Sequence, residues 1–332
     1  MGQLPAGRVR PGRPFLITGV DYCGPFYLKP LRRNVASPKV YIAVFVCFST
    51  KAMHLELSTD LSTASFISVL RRFIGHRGIP AEIHSDNAKN FSGARNELKA
   101  LYDLLNDLAN NFTITKELSQ QGIKWQFIPP RAPNFGGLWE AAVRSVKTAL
   151  KKEIGLQQLS YDDFTTLLVQ ITATLNSRPL SPLTDDPTEF EALTPAHFLI
   201  GSAMKALPEP DLVNIPINRL NHYQQTQQMF QRFWQRWSKQ YLTQLQVTTK
   251  NLPMIPIQVG SIVVLREDNL PPLCWPLARI IGLHPGSDGV VRVVTVKTAT
   301  GVYKRAANRI CPLPTDEVGR RATRSSPTML DS

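Results

Sequence analysis

Val40 to Phe48 are nine apolar residues in succession, the longest such run in the chain. A run of this length suits a strand buried on both faces, and it is far short of the ~20 apolar residues that a membrane-spanning helix needs. Strand-like segments flank it, Phe15 to Asp21 before and the alternating Ala52 to Leu57 after, so three adjacent strands open a domain. From Ser62 to His76 the period changes: Phe66, Val69, Leu70 and Phe73 share one helical face, which ends at Gly75 and Gly78-Ile-Pro80. A short strand over 81–84, a helix-like stretch over 94–108 and a further strand over 123–128 follow. This alternation predicts a layered α/β domain.

Asn134-Phe-Gly-Gly137 interrupts the pattern, and Leu138 to Lys152 resumes it as a helix. Trp139, Val143, Val146 and Leu150 form one stripe of that helix, and Glu140, Arg144, Lys147 and Lys151 form the neighbouring one. A helix over 161–176 completes a domain spanning 15–178, preceded by a short extension over 1–14. Residues 179–213 are Pro-rich and acidic and read as a linker. Residues 214–250 read as an amphipathic helix carrying Phe230, Phe233, Trp234, Trp237 and Tyr241, an aromatic stripe better suited to packing than to stacking on bases. Short strands separated by Asp-Asn, Pro-Pro, Pro-Gly and Asp-Gly turns predict a small β-barrel over 255–314, and a disordered tail follows over 315–332. No internal repeat is present.

The charge is unevenly placed. The net +13 divides into 22 basic and 13 acidic residues over 1–178, 1 and 6 over 179–213, and 15 and 6 over 214–332. Two basic bodies flanking an acidic connector point to a polyanion partner, since each Lys or Arg set on a phosphate releases condensed counterion. A merely soluble basic surface is the alternative that charge alone leaves open. Cys23, Cys47, Cys274 and Cys311 are too scattered for a C-x-x-C site, so reduced thiols in an intracellular chain are expected, with no structural zinc. The first residues show no secretory apolar region, and Ala6 departs from the myristoylation pattern, so neither export nor lipidation is expected.

Three carboxylates hold distinctive places: Asp21 at the end of the first predicted strand, Asp86 at the tip of the fourth, and Glu140 in the first turn after the Gly-Gly break. Carboxylates brought together repel one another unless cations lie between them, and oxygen ligands without a His/Cys set favour Mg²⁺ or Mn²⁺. Taken singly, each has a plainer reading: an Asp at a strand tip is a turn former, and a Glu in a first turn complements the helix dipole.

The words around the three acids are more specific. Thr18-Gly-Val-Asp21-Tyr-Cys-Gly-Pro25, His84-Ser-Asp86-Asn-Ala-Lys-Asn-Phe91 and Pro129-Pro-Arg-Ala-Pro-Asn-Phe-Gly-Gly-Leu-Trp-Glu140 together resemble the catalytic core of retroviral and retrotransposon integrases. The last of them resembles the Bel/Pao type. Leu193-Thr-Pro-Ala-His-Phe-Leu-Ile200, the Phe-Trp-x-x-Trp helix and Trp275-Pro-Leu-Ala-Arg279 resemble the C-terminal region of the same polyproteins.

The resemblance implies an RNase H-like core, a mixed five-stranded sheet with helices, followed by a helical linker and a small SH3-like β-barrel. It implies that Asp21, Asp86 and Glu140 are catalytic and hold two Mg²⁺ or Mn²⁺ ions for DNA 3′-end processing and strand transfer. Asn87 would support the metals, Lys89 would face target DNA, and Arg144, Lys147 and Lys151 would hold the element's own DNA end. Lys297, Lys304, Arg305 and Arg309 are the matching candidates for DNA contact in the barrel. The implied partners are element-end and target DNA and further copies of the chain, in the nucleus, with no membrane and no small-molecule substrate. Three departures are visible: residues 87–139 exceed the family's spacing between the second and third acids, Ala88 stands where the family usually has Gly after Asp-Asn, and no His/Cys zinc module precedes Asp21. A nuclease of the same fold, and an element-derived DNA-binding or assembly protein without activity, are the competing readings.

Overall fold

The computed structural model describes residues 12–30, 32, 34–85, 91–99, 122–127, 143–144, 146–155, 157–184, 189–251 and 257–314, with side chains described to residue 246 of the long helix and again from 257. The chain forms two compact units, one from residues 1–176 and 212–233 and the other from 177–211 and 234–332.

In the first unit, β1 (Ile17–Tyr27), β2 (Lys39–Cys47) and β3 (Met53–Ser58) form an antiparallel meander, and β4 (Glu82–Ser85) and β5 (Lys124–Phe127) extend it in parallel with β1. The order β3-β2-β1-β4-β5 is the mixed five-stranded sheet expected from the sequence, with β1 at its centre. The Val40–Phe48 run supplies β2, whose residues from Ile42 to Cys47 are all buried, on both faces. β1 differs from expectation by running on past Asp21. A register shift between Cys23 and Phe26 accommodates Gly24 and Pro25, after which Phe26 and Tyr27 pair with Val40 and Lys39. Proline lacks a ladder donor, and a bulge is the place where a strand tolerates it.

Helix α1 (Thr63–Arg77) lies under this sheet through Phe66, Val69, Leu70 and Phe73, all buried. Its N-terminus is capped by Ser62, whose side chain accepts the Ser65 N–H. Phe73 stacks on Phe45 with ring centroids 4.2 Å apart and meets Phe15 edge-on at 5.4 Å. Residues 91–99 are helical, as are 143–144 and 146–153. Helix α2 (Tyr161–Asn176) buries Phe164, Leu167, Leu168, Ile171 and Leu175 and ends on a polar contact. The fully buried Asn176 carboxamide accepts the Met53 N–H and donates to the Met53 carbonyl, both at 2.8 Å, satisfying the outer side of edge strand β3.

The long helix α4 (His222–Asn251) begins in this unit, eight residues after the start expected at 214. Its glutamines hold the irregular segment before it: Gln228 donates to the Leu212 and Ile215 carbonyls, and Gln231 accepts the Leu212 N–H. Phe230 and Phe233 are buried.

In the second unit, part of the segment that composition reads as a linker is ordered: β6 (Ser181–Pro182) pairs with β7 (Ala192–Leu193), and α3 is Pro195–Ile200. The C-terminal strands β8 (Ile262–Leu265), β9 (Leu277–Pro285), β10 (Val291–Thr298), β11 (Gly301–Ala306) and β12 (Ile310–Pro312) form one antiparallel sheet in the order β11-β10-β9-β8-β12. It is an open sheet, which corrects the expectation of a closed barrel. The 3₁₀ turn Ala307–Arg309 carries the chain from one edge strand to the other, and no ladder joins β11 to β12. Every residue of β8 is buried, Val263 and Leu265 among Ala278, Ile280, Val294 and Val296, and Ile262 and Val264 among Leu242, Cys311 and Leu313. Trp237 stacks on Tyr241 at 5.5 Å, Trp275 meets both edge-on, and its indole donates to Ser177 Oγ, so this end of the aromatic stripe is packing.

Candidate functional site

Asp21 stands on the central strand just beyond the β1–β4 parallel ladder, which ends at the pair Gly19–His84. The C-terminal edge of parallel strands is where open α/β sheets place their ligands. About 28 % of the Asp21 side chain is exposed, so the carboxylate opens to solvent on a strand whose three preceding residues, Thr18, Gly19 and Val20, are buried. Its Oδ1 accepts the Tyr22 N–H at 2.7 Å, and its Oδ2 receives the Lys147 ammonium at 2.5 Å.

Lys147 reaches Asp21 because its helix crosses β1. Val143, Val146, Ala149 and Leu150 are buried along one side, and the Lys147 carbonyl is 4.0 Å from the Cys23 thiol. Burial pushes that thiol up to about 11 despite the opposing charges of Lys147 and Lys151. Arg144 and Lys151 are exposed on the same helix. The expected basic stripe therefore exists, with its middle member turned onto the Asp21 carboxylate.

Asp86, Asn87, Lys89 and Glu140 lie outside the described residues. Both flanks of the segment carrying the first three are fixed beside β1. Ser85 ends β4, is buried and accepts the Trp125 indole N–H at 2.9 Å. Phe91 stacks on Tyr22, the neighbour of Asp21, with centroids 5.5 Å apart and planes 18° apart, and meets Phe66 edge-on. Gly93 permits this close approach, since a Cβ there would fall 2.2 Å from Thr63 Oγ1. Among the described residues no group of three or more His, Cys, Asp and Glu side chains is gathered for a metal. Asp21 itself has the chemistry for a hard cation: a carboxylate oriented by a backbone N–H, about a quarter exposed to solvent, with a cation already on its second oxygen.

The four cations named in the C-terminal sheet divide by face. The β10–β11 register sets Lys304 opposite Thr295 and Lys297 opposite Val302, so the two exposed lysines share a face with His284, whose ring is 2.7 Å from Thr295 Oγ1. Arg305 points to the other face, over the Tyr303 ring and 3.1 Å from Glu267. Arg309 is 3.2 Å from Asp268, which also receives Lys239 at 3.1 Å. Asp268 reads in the sequence as part of the Asp-Asn turn, and its pairing with Arg309, like that of Glu267 with Arg305, is signalled there only by an acidic pair inside a basic region. The Asp21–Lys147 contact was missed, since 126 positions separate the partners.

Residues 221–313 match a family model described as "Family of unknown function (DUF5641)". No curated protein matches the chain. Solved structures similar to it include retroviral integrases. A chain from the simian T-cell lymphotropic virus intasome in complex with PP2A regulatory subunit B56 gamma is 15% identical, over 95% of this chain and 84% of that one, with a TM-score of 0.37. The HTLV-2 integrase catalytic core domain in complex with magnesium, in a trimeric form, is 18% identical, over 57% of this chain and 99% of that one, with a TM-score of 0.32. Likenesses at this level assign neither an activity nor a partner to the chain.

Proposed function

We propose that the protein is an integrase-like polynucleotidyl transferase of the Bel/Pao type, acting on DNA ends and joining them to target DNA. The observation that carries the reading is the setting of Asp21: a solvent-open carboxylate on the central strand, with both flanks of the Asp86 segment packed beside the same strand. The three sequence words and their order supply the rest. Asp21, Asp86 and Glu140 are the residues that would hold two Mg²⁺ or Mn²⁺ ions. Bound there, such ions would ready an attacking oxygen and stabilise the leaving oxygen of an in-line phosphoryl displacement.

The chain's own part is positioning. Asn87 would support the acidic cluster, Lys89 would meet target DNA, and Arg144, Lys147 and Lys151 would fix the phosphates of the element's end by charge-assisted hydrogen bonds. Lys297 and Lys304, exposed on one sheet face, would contact a DNA backbone without reading its bases, while Arg305 and Arg309 are engaged with carboxylates in this structure. The reading carries with it a homo-oligomer and a nuclear location, as the motif resemblance implies.

The test is a Mg²⁺-dependent strand-transfer assay with the full chain and duplexes ending in the element's terminal sequence. Asp86→Asn and Glu140→Gln should each abolish joining while leaving the unfolding midpoint and most DNA binding in place. Joining that persists in both variants would overturn the assignment. DNA binding without joining in the parent protein would leave the inactive assembly protein as the reading.

A further inference from the structure

The Asp21–Lys147 pair holds a cation where the proposed function requires one. Lys147 Nζ is 2.5 Å from Asp21 Oδ2, and both side chains are about a quarter exposed, 26 % and 28 %. The ammonium is not buried structural charge. Its stem runs from a helix whose apolar side is fixed by Val143, Val146 and Leu150, so the head can swing without disturbing the packing. Asp21, by contrast, is held in place by the Tyr22 N–H on its other oxygen. A fixed carboxylate paired with a hinged lysine makes an exchangeable contact: Oδ2 can accept the ammonium or a harder cation, but not both at that position.

We propose that Lys147 is a place-holding cation, which neutralises Asp21 while no divalent ion is bound, gives up Oδ2 when one arrives, and is thereby released towards solvent and phosphate. This rests on the reading of Asp21 as a metal ligand and adds an order of events to it. Lys147 would be a positioning residue whose availability to DNA depends on the metal. A protein that has not loaded its metal would then lack one of its phosphate contacts, so DNA would be gripped fully only when the site is charged. The competition also sets a direction for metal affinity. Removing the ammonium should strengthen divalent binding, whereas removing a ligand weakens it.

The experiment measures Mn²⁺ binding to the full chain by titration calorimetry, without DNA, for the parent protein, Lys147→Met, Lys152→Met and Asp21→Asn. Lys152 is exposed on the same helix and controls for the loss of one positive charge. Lys147→Met should bind Mn²⁺ more tightly, by up to about five-fold, the scale of a partly exposed ion pair. Lys152→Met should match the parent, and Asp21→Asn should lose binding. In parallel, the rate at which an amine-reactive reagent acylates Lys147, followed by mass spectrometry, should rise when Mg²⁺ is added to the parent and should already be high in Asp21→Asn. Unchanged or weaker Mn²⁺ binding in Lys147→Met, or acylation indifferent to Mg²⁺ in a parent that binds it, would overturn the place-holding role while leaving the metal site intact. No Mn²⁺ binding to the parent would overturn the metal reading itself, and the place-holding role with it.

Discussion

Two side chains in the first unit illustrate how much can depend on one residue. Asp21 is the point at which chemistry is expected, and its use rests on partial exposure, a backbone N–H and a nearby cation. Asn176 does structural work of comparable specificity. Its carboxamide closes the outer N–H and C=O of Met53 on an edge strand, with no exposure of its own. Asn176→Ala leaves a buried donor and acceptor without partners, and should lower the stability of this unit by about 2 kcal/mol. Urea unfolding followed by tryptophan fluorescence would measure it, and a change below a few tenths of that would show that water replaces the carboxamide at no loss. Asn176→Asp keeps one hydrogen bond and sets a carboxylate oxygen against a carbonyl, so it should cost at least as much.

At the scale of elements, β3 and α1 are joined by a polar cluster. His54 donates from Nε2 to Glu56 at 3.0 Å and accepts the Arg77 Nε–H on Nδ1, while Arg72 binds Glu56 at 2.8 Å and the Leu57 carbonyl at 2.6 Å. Burial holds His54 below its ordinary value of 6.5, more strongly than the Glu56 contact raises it. Burial pushes Glu56 up, but the hydrogen bonds from His54 and Arg72 outweigh that and leave it below its usual range. Both groups therefore bind fewer protons folded than unfolded. Their stabilisation is complete above the unfolded values and is lost as the pH falls, first through the histidine and then through the carboxylate. The urea midpoint should fall between pH 7 and pH 5, and His54→Gln should make that part of the fall shallower, the remainder belonging to His84, which burial also holds below its ordinary value. Equal falls over pH 5–7 in His54→Gln and the parent would show that His54 titrates alike in both states.

For the whole molecule the main quantity is the charge of +13, carried by two basic regions. If the exposed Lys297 and Lys304 face is a backbone contact, replacing both with Ala in the full chain should flatten the plot of log affinity against log salt by roughly two units. Binding should stay nearly indifferent to the sequence of the duplex. Replacing Arg305 and Arg309 should instead lower stability more than affinity, because the change takes from Glu267 and from Asp268 the arginine each now meets in the sheet, leaving Asp268 with Lys239. Equal slopes for the Lys297/Lys304 variant and the parent would remove this face from the DNA interface. The same scale explains the open C-terminal sheet. Its strands pair in sequence except for β12, which returns beside β8, and the turn over Ala307–Arg309 leaves β11 at the far edge.

Local pattern was enough to identify β2 and α1, because burial on both faces demands an unbroken apolar run and one-sided burial demands a 3.6-residue stripe, while the helices expected over 94–108 and 138–152 lie partly outside the described residues. The words around the three acids were enough to nominate a site. Local pattern failed where a long-range partner decides the outcome. β1 continues past Gly24 and Pro25 because β2 is there to pair with Phe26 and Tyr27. Glutamines on α4 hold backbone groups of the segment that precedes it. Arg305 and Arg309 meet acids some 40 positions away rather than lining up with Lys297 and Lys304. Lys147 turns from a helix surface onto Asp21 only because tertiary packing lays that helix across β1. A sequence specifies which side chains are charged, but the neighbour that neutralises a charge is chosen by the fold, since ion pairing acts over a few ångströms in space and is blind to separation along the chain.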